Sequence, residues 1–219
     1  MLKAALFDWD GTLADSRKVI VASFLNALTT INCDINNEFI ERLIGVGSAE
    51  TFRKILRASE TSFDESLISA LVEEKIHNEI DMSANIKLFP GALELLGALH
   101  GKVRIGLASM NDRVTIYHLL RTTGTQRFFE VIVTAGEITK SKPNPEIFLK
   151  CAIALGIEPH QCVVFEDSIF GVEAAKTAEM ACIAVLTGVY SKEELEKAEP
   201  DLIIDSLKRK TDIFNLIFR

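Results

Sequence analysis

Six short segments of this chain are apolar at nearly every successive position, and stretches with helical spacing lie between them. They occupy residues 4–7, 103–108, 131–134, 163–165, 181–186 and 202–204. A strand with one face in water alternates apolar and polar residues, so continuous apolar runs predict strands that are covered on both faces. Strands and helices that alternate in this way predict an α/β fold: a Rossmann-like parallel sheet with helices on both faces.

The segment from residue 16 to about residue 87 interrupts this alternation because it contains only helical patterns. Apolar residues recur at helical spacing in three sets: Val19, Phe24, Leu28 and Ile31; Phe52, Ile55 and Leu56; Leu67, Leu71 and Ile76. Such a block after the first strand predicts a second, all-helical domain that sits over the sheet. We therefore predict an α/β core domain formed by residues 1–15 and 88–219, and a helical domain formed by residues 16–87.

The charge balance and the cysteines limit the classes of function. A net charge of −7 with a pI near 5.2 argues against a nucleic-acid or membrane-surface binder, because anionic phosphates would repel the chain. No apolar run is long enough to cross a bilayer. The four cysteines form no Cys-x-x-Cys pair and lie among apolar residues, which is typical of buried thiols in a reducing compartment. These features predict a cytoplasmic protein.

Two carboxylates follow the first apolar run directly. In the segment Phe7-Asp8-Trp9-Asp10-Gly11, a turn at the end of the strand lets both acidic side chains approach one point, and the glycine provides the backbone freedom for it. A calcium-binding EF-hand also opens with Asp-x-Asp. That loop needs a bidentate glutamate where Val19 stands, and its glycine would come two residues after Gly11. The EF-hand interpretation therefore fails.

A second acidic pair, Glu166-Asp167, follows the apolar run at 163–165 and precedes a helical pattern that begins at Ser168. Acidic residues at this place can simply cap a helix. However, four carboxylates at one edge of one sheet repel one another, by about 4 kcal/mol for each pair at about 4 Å and an effective dielectric near 20. A bound cation removes this repulsion, and oxygen-only ligands favour Mg²⁺.

Two further segments are predicted to reach the same edge of the sheet. Ser109, Met110 and Asn111 follow the run at 103–108 and offer a hydroxyl, a backbone amide and a side-chain amide. Lys142 precedes a predicted helix that starts near Asn144. Ligands of open α/β sheets bind outside the carboxyl ends of the strands, so these groups are candidates for binding phosphate there.

The order of these segments resembles the haloacid dehalogenase superfamily, in particular its phosphatase and phosphomutase branch with a helical cap after the first strand. Four segments carry the resemblance: Asp8-Trp9-Asp10-Gly11-Thr12-Leu13-Ala14-Asp15-Ser16, Ala108-Ser109-Met110-Asn111, Lys142-Pro143-Asn144-Pro145-Glu146-Ile147-Phe148 and Phe165-Glu166-Asp167-Ser168-Ile169-Phe170-Gly171-Val172-Glu173-Ala174-Ala175. Residues 198–207 are also similar to the closing strand of the family. The resemblance therefore covers essentially the whole chain.

The resemblance implies a role for each candidate residue. Asp8 is similar to the nucleophile that forms an aspartyl-phosphate, and Asp10 to the general acid and base. Mg²⁺ would be held by Asp8, Asp167 and the backbone carbonyl of Asp10, with Glu166 in or beside that shell. Ser109, Met110, Asn111 and Lys142 would bind the phosphoryl oxygens. The implied protein is a phosphatase whose substrate is a small phosphomonoester of the phosphoglycolate or sugar-phosphate type. A monomer is the default expectation for its oligomeric state.

Two alternatives remain open on the same scaffold, a mutase and a non-catalytic binding protein, and a third, a phosphonoacetaldehyde hydrolase, does not match. A mutase of the β-phosphoglucomutase kind would require a histidine on the first cap helix and an arginine in the cap loop, where this chain has Ile20 and residues 45–49 without charge. A phosphonoacetaldehyde hydrolase would use a cap lysine such as Lys54, but would have alanine instead of Asp10. A non-catalytic binding protein would have lost one of the catalytic residues, and none is lost.

Overall fold

The computed structural model describes residues 1–219 and contains a central six-stranded sheet. The protein has eight strands in all, of which β2 and β3 form a separate pair: β1 Ala4–Phe7, β2 Ala14–Asp15, β3 Lys87–Leu88, β4 Arg104–Ser109, β5 Val131–Thr134, β6 Cys162–Glu166, β7 Ala181–Val185 and β8 Leu202–Ile204. The central sheet has the order β5-β4-β1-β6-β7-β8, and every pair in it is parallel. The predicted fold class is therefore confirmed, and all six predicted strands are present.

The protein contains ten α-helices, six of which cover the two faces of the sheet. The ten helices are α1 Arg17–Thr29, α2 Asn37–Glu41, α3 Ser48–Ala58, α4 Glu65–Asp81, α5 Ala92–Leu99, α6 Arg113–Thr122, α7 Glu146–Leu155, α8 Ile169–Thr177, α9 Lys192–Glu196 and α10 Lys210–Ile217. One apolar cluster joins one face of the sheet to α5, α6 and α10, and a second joins the opposite face to α7, α8 and α9. Because both faces are covered, successive residues of β1 are all fully buried.

The four helices α1–α4 form a unit with its own apolar cluster, which we call the helical insert. Phe24 of α1 packs on Phe52 of α3 with ring centroids 4.7 Å apart, and Ile40, Leu56 and Leu71 are buried around them. The chain enters and leaves the insert through the antiparallel pair β2–β3, which is too short to produce a sequence pattern.

The inner face of α4 differs from the one that the sequence predicts. The residues that α4 buries are Ile68, Leu71, Lys75 and Glu79, whereas the predicted apolar set included Leu67 and Ile76, which are only half-buried. Two charged residues thus occupy positions that hydrophobicity alone would assign to apolar ones.

No helix of the protein has both the length and the apolar character needed to cross a membrane.

Candidate active site

The ends of three neighbouring strands bring the predicted residues together. Phe7 at the end of β1 lies opposite Leu107 of β4 and Phe165 of β6, so the residues that follow these strands lie at one edge. The backbone N–H of Asp8 donates to the carbonyl of Phe165 at 3.0 Å, which fixes Asp8 beside Glu166. In this order β1 stands where the strand connections change direction, which is the place where open α/β sheets bind their ligands.

Lys142 reaches this edge from the loop before α7 and is almost fully buried. Its ammonium donates to Asp8 Oδ1 at 2.8 Å and to Glu166 Oε1 at 2.5 Å. The Asp8 and Glu166 carboxylates raise the pKa of Lys142 despite its burial, so this side chain stays charged. The lysine therefore links the nucleophile candidate to the end of β6.

Asp8, Glu166 and Asp167 form a cluster of carboxylates in which one oxygen from each lies within 4.8 Å of the others. Thr12 Oγ1 donates to Asp167 Oδ1 at 3.0 Å. Gly11 has a φ of +83°, and a Cβ at this position would overlap the Asp167 carboxylate. Three converging oxygen donors held close by a glycine turn fit a hard dication such as Mg²⁺.

The electrostatics of this cluster agree with that fit. Burial raises the pKa of Asp8 well above its usual range, and the nearby charges of Glu166 and Asp10 add to the effect while Lys142 opposes it. Burial also raises the pKa of Asp167, with further contributions from Glu166 and Asp8. One lysine does not balance three buried carboxylates, and a bound dication would reverse these shifts.

Asp10 is not part of this carboxylate cluster, and two side chains hold its carboxyl group in place. Ser16 Oγ donates to Asp10 Oδ1 at 2.7 Å, and Asn111 Nδ2 lies 3.3 Å from Asp10 Oδ2. Burial, followed by the charge of Glu79, raises the pKa of Asp10 to about 6, although the hydrogen bonds from Ser16 and Asn111 and the charge of Lys75 lower it. A carboxyl group with this pKa can both donate and accept a proton near neutral pH.

Ser109 is the last residue of β4, and Met110 and Asn111 follow it in the loop; all three are buried. The Asn111 N–H donates to Ser109 Oγ at 3.1 Å, which closes the turn. The side-chain amide of Asn111 is fully engaged by protein groups. Its Oδ1 accepts from Lys75 Nζ at 3.0 Å and from the Asp112 N–H at 2.8 Å, and its Nδ2 donates to Glu79 Oε1 at 2.7 Å. Its side chain therefore joins Asp10 to the helical insert.

A cavity with an empty volume of about 350 Å³ lies between the sheet edge and the helical insert. Asp8, Asp10, Met110 and Asn111 line it from the sheet side. The insert contributes Ile20, Phe24, Leu43, Ile44, Gly45, Gly47, Ser48, Thr51 and Lys75.

The structure brings the predicted residues of the sheet edge together, whereas the sequence analysis did not identify two charged residues of the insert. Asp8, Asp10, Ser109, Met110, Asn111, Lys142, Glu166 and Asp167 all lie at the carboxyl edge of β1, β4 and β6. Lys75 and Glu79 were not identified, although they form a buried ion pair that contacts Asn111. Their spacing of four residues on one helix face was the signal that could have revealed them.

The raised pKa of Asp10 leads to a prediction about stability. A carboxyl whose pKa is higher in the folded than in the unfolded protein stabilises the fold while protonated, and this contribution is lost as pH rises through the folded value of about 6. We expect Asp10→Asn to raise the free energy of unfolding of the metal-free protein by about 3 kcal/mol at about pH 8. Urea denaturation in EDTA measures the difference, which should shrink towards about pH 4.

Asp15→Asn serves as the control for this prediction because Asp15 is exposed. It should change the free energy of unfolding by less than about 0.5 kcal/mol at each pH. A gain for Asp10→Asn that is the same at low and high pH would contradict the assignment of the raised pKa to Asp10.

The parallel sheet and the carboxylate cluster at its edge define an α/β enzyme, and comparisons with known proteins give its family. The sequence matches the family described as haloacid dehalogenase-like hydrolase over residues 5–185. The chain therefore belongs to the haloacid dehalogenase-like hydrolase family, as its motifs predicted, and it is a hydrolase.

Three similar proteins illustrate the range of the family. The chain is 32% identical to Protein SUPPRESSOR OF QUENCHING 1, chloroplastic, from Arabidopsis thaliana over 94% of its own length, and it spans 20% of that protein. It is 29% identical to Pyrophosphatase PpaX from Oceanobacillus iheyensis, with 99% of this chain and 97% of that protein covered. A crystal structure of β-phosphoglucomutase from Clostridium difficile matches with a TM-score of 0.86 and 27% identity, over 100% of both chains. Several further relatives are named phosphatases.

Proposed function

We propose that the protein is a Mg²⁺-dependent phosphatase that hydrolyses a small phosphorylated metabolite of the phosphoglycolate or sugar-phosphate type through an aspartyl-phosphate intermediate. The observation that carries this proposal is the placement of Asp8 and Asp10. Both carboxylates line one cavity, while Lys142, Glu166 and Asp167 surround Asp8 on the side of the sheet. The names of several relatives as phosphatases support the same class of reaction.

In the first step, a carboxylate oxygen of Asp8 attacks phosphorus and forms an acyl-phosphate bond while the bond from phosphorus to the leaving oxygen breaks. Lys142 fixes Asp8 Oδ1 at 2.8 Å, which leaves the second oxygen of this carboxylate for the attack. Asp10 donates its proton to the leaving oxygen. Because burial raises the pKa of Asp10 to about 6, a useful fraction of the enzyme holds that proton near neutral pH.

In the second step, water attacks the aspartyl-phosphate and Asp10, now ionised, accepts a proton from that water. The acyl-phosphate bond breaks, and Asp8 returns as a carboxylate together with inorganic phosphate. Division of one displacement into two steps is the usual benefit of a covalent carboxylate nucleophile. Ser16 and Asn111 keep Asp10 in place for both proton transfers.

Mg²⁺ would be held by Asp8, Asp167 and the Asp10 backbone carbonyl, with Glu166 in or beside its coordination shell. When bound, the ion neutralises charge between the nucleophile and the phosphoryl group. Lys142, Ser109 and the Met110 backbone amide would bind the phosphoryl oxygens. Since the Asn111 side chain is occupied by protein partners, we assign it the positioning of Asp10 instead.

We propose that residues 16–87 are a separate cap domain, with the core formed by residues 1–15 and 88–219. Contacts across this boundary support a closed arrangement over the cavity. Arg42 forms an ion pair with Glu194 at 2.8 Å, and Ser48 Oγ donates to Asp112 at 3.2 Å. Gly45 and Gly47, both with positive φ, give the loop before α3 the freedom to move.

Mutase activity is the second candidate because a β-phosphoglucomutase structure matches the whole chain. The cavity wall argues against it. Ile20 and the loop with Gly45, Gly47 and Ser48 line the cavity, and no histidine or arginine does so. A sugar bisphosphate, which a mutase must retain and reorient between its two steps, would therefore lack the groups that hold it. Lys54, considered above as a Schiff-base residue, does not line the cavity and lies over the Phe170 ring at 5.8 Å.

We also propose that the protein is a cytoplasmic monomer. All four cysteines are buried free thiols, as expected for a reducing compartment. The most exposed large apolar residues lie on different elements of the core and at the chain ends: Met1, Leu93, Val114, Ile153 and Phe218. Isolated residues of this kind do not form an extended apolar patch. Size-exclusion chromatography with light scattering tests the oligomeric state.

The test of the proposed function is hydrolysis of a generic aryl phosphate with Mg²⁺ and with EDTA. We expect turnover with Mg²⁺ and a loss of roughly 10³-fold or more with EDTA, because three carboxylates at the site need a counter-charge. Added Mg²⁺ should restore the activity. Equal turnover in EDTA would exclude the metal role, and no turnover in any condition with folded protein would favour a mutase or a binding protein.

A further inference from the structure

The wall of the cavity that faces the leaving group comes from the helical insert and is mostly apolar. Ile20, Phe24, Leu43 and Ile44 form it, together with the hydroxyl groups of Ser48 and Thr51. Lys75 is the one basic residue among those that line the cavity. Its charge therefore decides whether this wall can receive a second anionic group of a substrate.

The charge of Lys75 is already compensated within the protein. Its ammonium is ion-paired with Glu79 one turn further along α4, and it donates to Asn111 Oδ1 at 3.0 Å and lies over the Phe24 ring at 5.5 Å. Glu79 is fully buried, and its second carboxylate oxygen accepts from Asn111 at 2.7 Å. The pair is therefore neutral as a unit and rigidly held on both sides.

Other charged groups near this wall do not supply a free cation. Asp10 lies beside Asn111, and the Asp112 carboxylate accepts from Ser48 at the rim. Arg42 is paired with Glu194, and Arg53 with Glu50 and Glu65, and neither arginine lines the cavity. A carboxylate or a second phosphate placed here would lose its hydration and meet negative charge without compensation.

On the basis of the proposed phosphatase function, we infer that the leaving group is uncharged and carries hydroxyl groups, as in a small polyol or sugar, and that Glu79 sets this preference by neutralising Lys75. The hydroxyl groups of Ser48 and Thr51 offer hydrogen bonds to such a leaving group. The inference selects between the two substrate types proposed above, since phosphoglycolate leaves as a carboxylate-bearing alcohol and a sugar phosphate leaves as a neutral one.

Two matched pairs of substrates test this inference. Glycerol 3-phosphate and 3-phosphoglycerate differ only in a hydroxymethyl group against a carboxylate, as do 2-hydroxyethyl phosphate and 2-phosphoglycolate. With Mg²⁺, we expect kcat/KM of the wild-type enzyme to favour the neutral member of each pair by about tenfold or more. Equal values, or a preference for the anionic member, would overturn the inference.

Glu79→Gln frees the charge of Lys75 while it keeps the size of the side chain. We expect the preference for the neutral substrate to fall by about tenfold, mainly through a lower KM for the anionic one. Glu73→Gln is the matched control, because Glu73 lies on the same helix but is exposed and should leave the ratio unchanged. An unchanged ratio in folded Glu79→Gln would show that Glu79 does not set the preference.

The wild-type comparison needs no variant, so the inference remains testable if Glu79→Gln does not fold. Aryl phosphate turnover distinguishes a failure of the proposed phosphatase function from a failure of the inference about the leaving group. If aryl phosphate is not hydrolysed with Mg²⁺, the proposed function fails. If it is hydrolysed while the anionic substrates are preferred, the phosphatase function stands and the inference about the leaving group fails.

Discussion

Asp8→Asn is expected to reduce turnover of an aryl phosphate by roughly 10⁴-fold or more with Mg²⁺ present, because the attacking carboxylate oxygen is lost. The substitution keeps the shape of the side chain and an oxygen that can accept the hydrogen bond from Lys142, which is 2.8 Å from Asp8 in the native protein. The fold should therefore be retained. Steady-state kinetics measures the loss, and circular dichroism checks the fold.

Asp34→Asn is a suitable control, because Asp34 is exposed in the helical insert and does not line the cavity. It removes the same charge and should leave turnover within about twofold. Residual activity of Asp8→Asn above a few per cent, with folded protein, would contradict the role of Asp8 as the nucleophile.

Lys142→Met is expected to have the second largest effect, and it should appear in both activity and stability. Loss of the ammonium removes a charged partner of the phosphoryl oxygens, which should lower kcat by roughly 10²–10³-fold. It also leaves the Asp8 and Glu166 carboxylates buried without their shared partner. We therefore expect the metal-free protein to lose about 3–5 kcal/mol of unfolding free energy.

The matched control for this prediction is Lys140→Met, since Lys140 lies two residues earlier in the same loop but is exposed. It should change neither kcat nor the free energy of unfolding. Urea denaturation in EDTA and steady-state kinetics with Mg²⁺ measure the two effects separately. Unchanged stability of Lys142→Met would show that the buried ion pairs contribute nothing, and unchanged kcat would remove Lys142 from phosphate binding.

The sheet and its reactive edge could be predicted from the sequence because both depend on local patterns. Runs such as 4–7 and 163–165 are apolar at every position. This pattern is typical of a strand that is covered on both faces, because side chains on both sides are then buried. The polar residues that follow them, such as Asp8 and Glu166, must then meet at one edge, since all strands of a parallel sheet point the same way. No knowledge of the helices was needed for this step.

The wall above that edge could not be predicted in the same way, because it depends on how the helical insert packs. Charged residues four positions apart on a helix, such as Lys75 and Glu79, usually pair on an exposed helix surface. These two are buried because α4 turns this face towards Asn111, a residue of the core 32 positions away from Glu79. The same contact explains why the hydrogen-bonding groups of the Asn111 side chain are occupied by Lys75 and Glu79.

If the proposed mechanism holds, Asp8 carries a phosphoryl group during turnover, and peptide mass spectrometry of Asp10→Asn after mixing with aryl phosphate and Mg²⁺ detects that group. An aryl leaving group does not need a proton from Asp10, whereas hydrolysis of the intermediate needs its base, so the intermediate should accumulate. We expect one phosphoryl group per chain, located on Asp8. Release of the aryl alcohol without a phosphorylated Asp8, or a phosphoryl group on another residue, would contradict this mechanism.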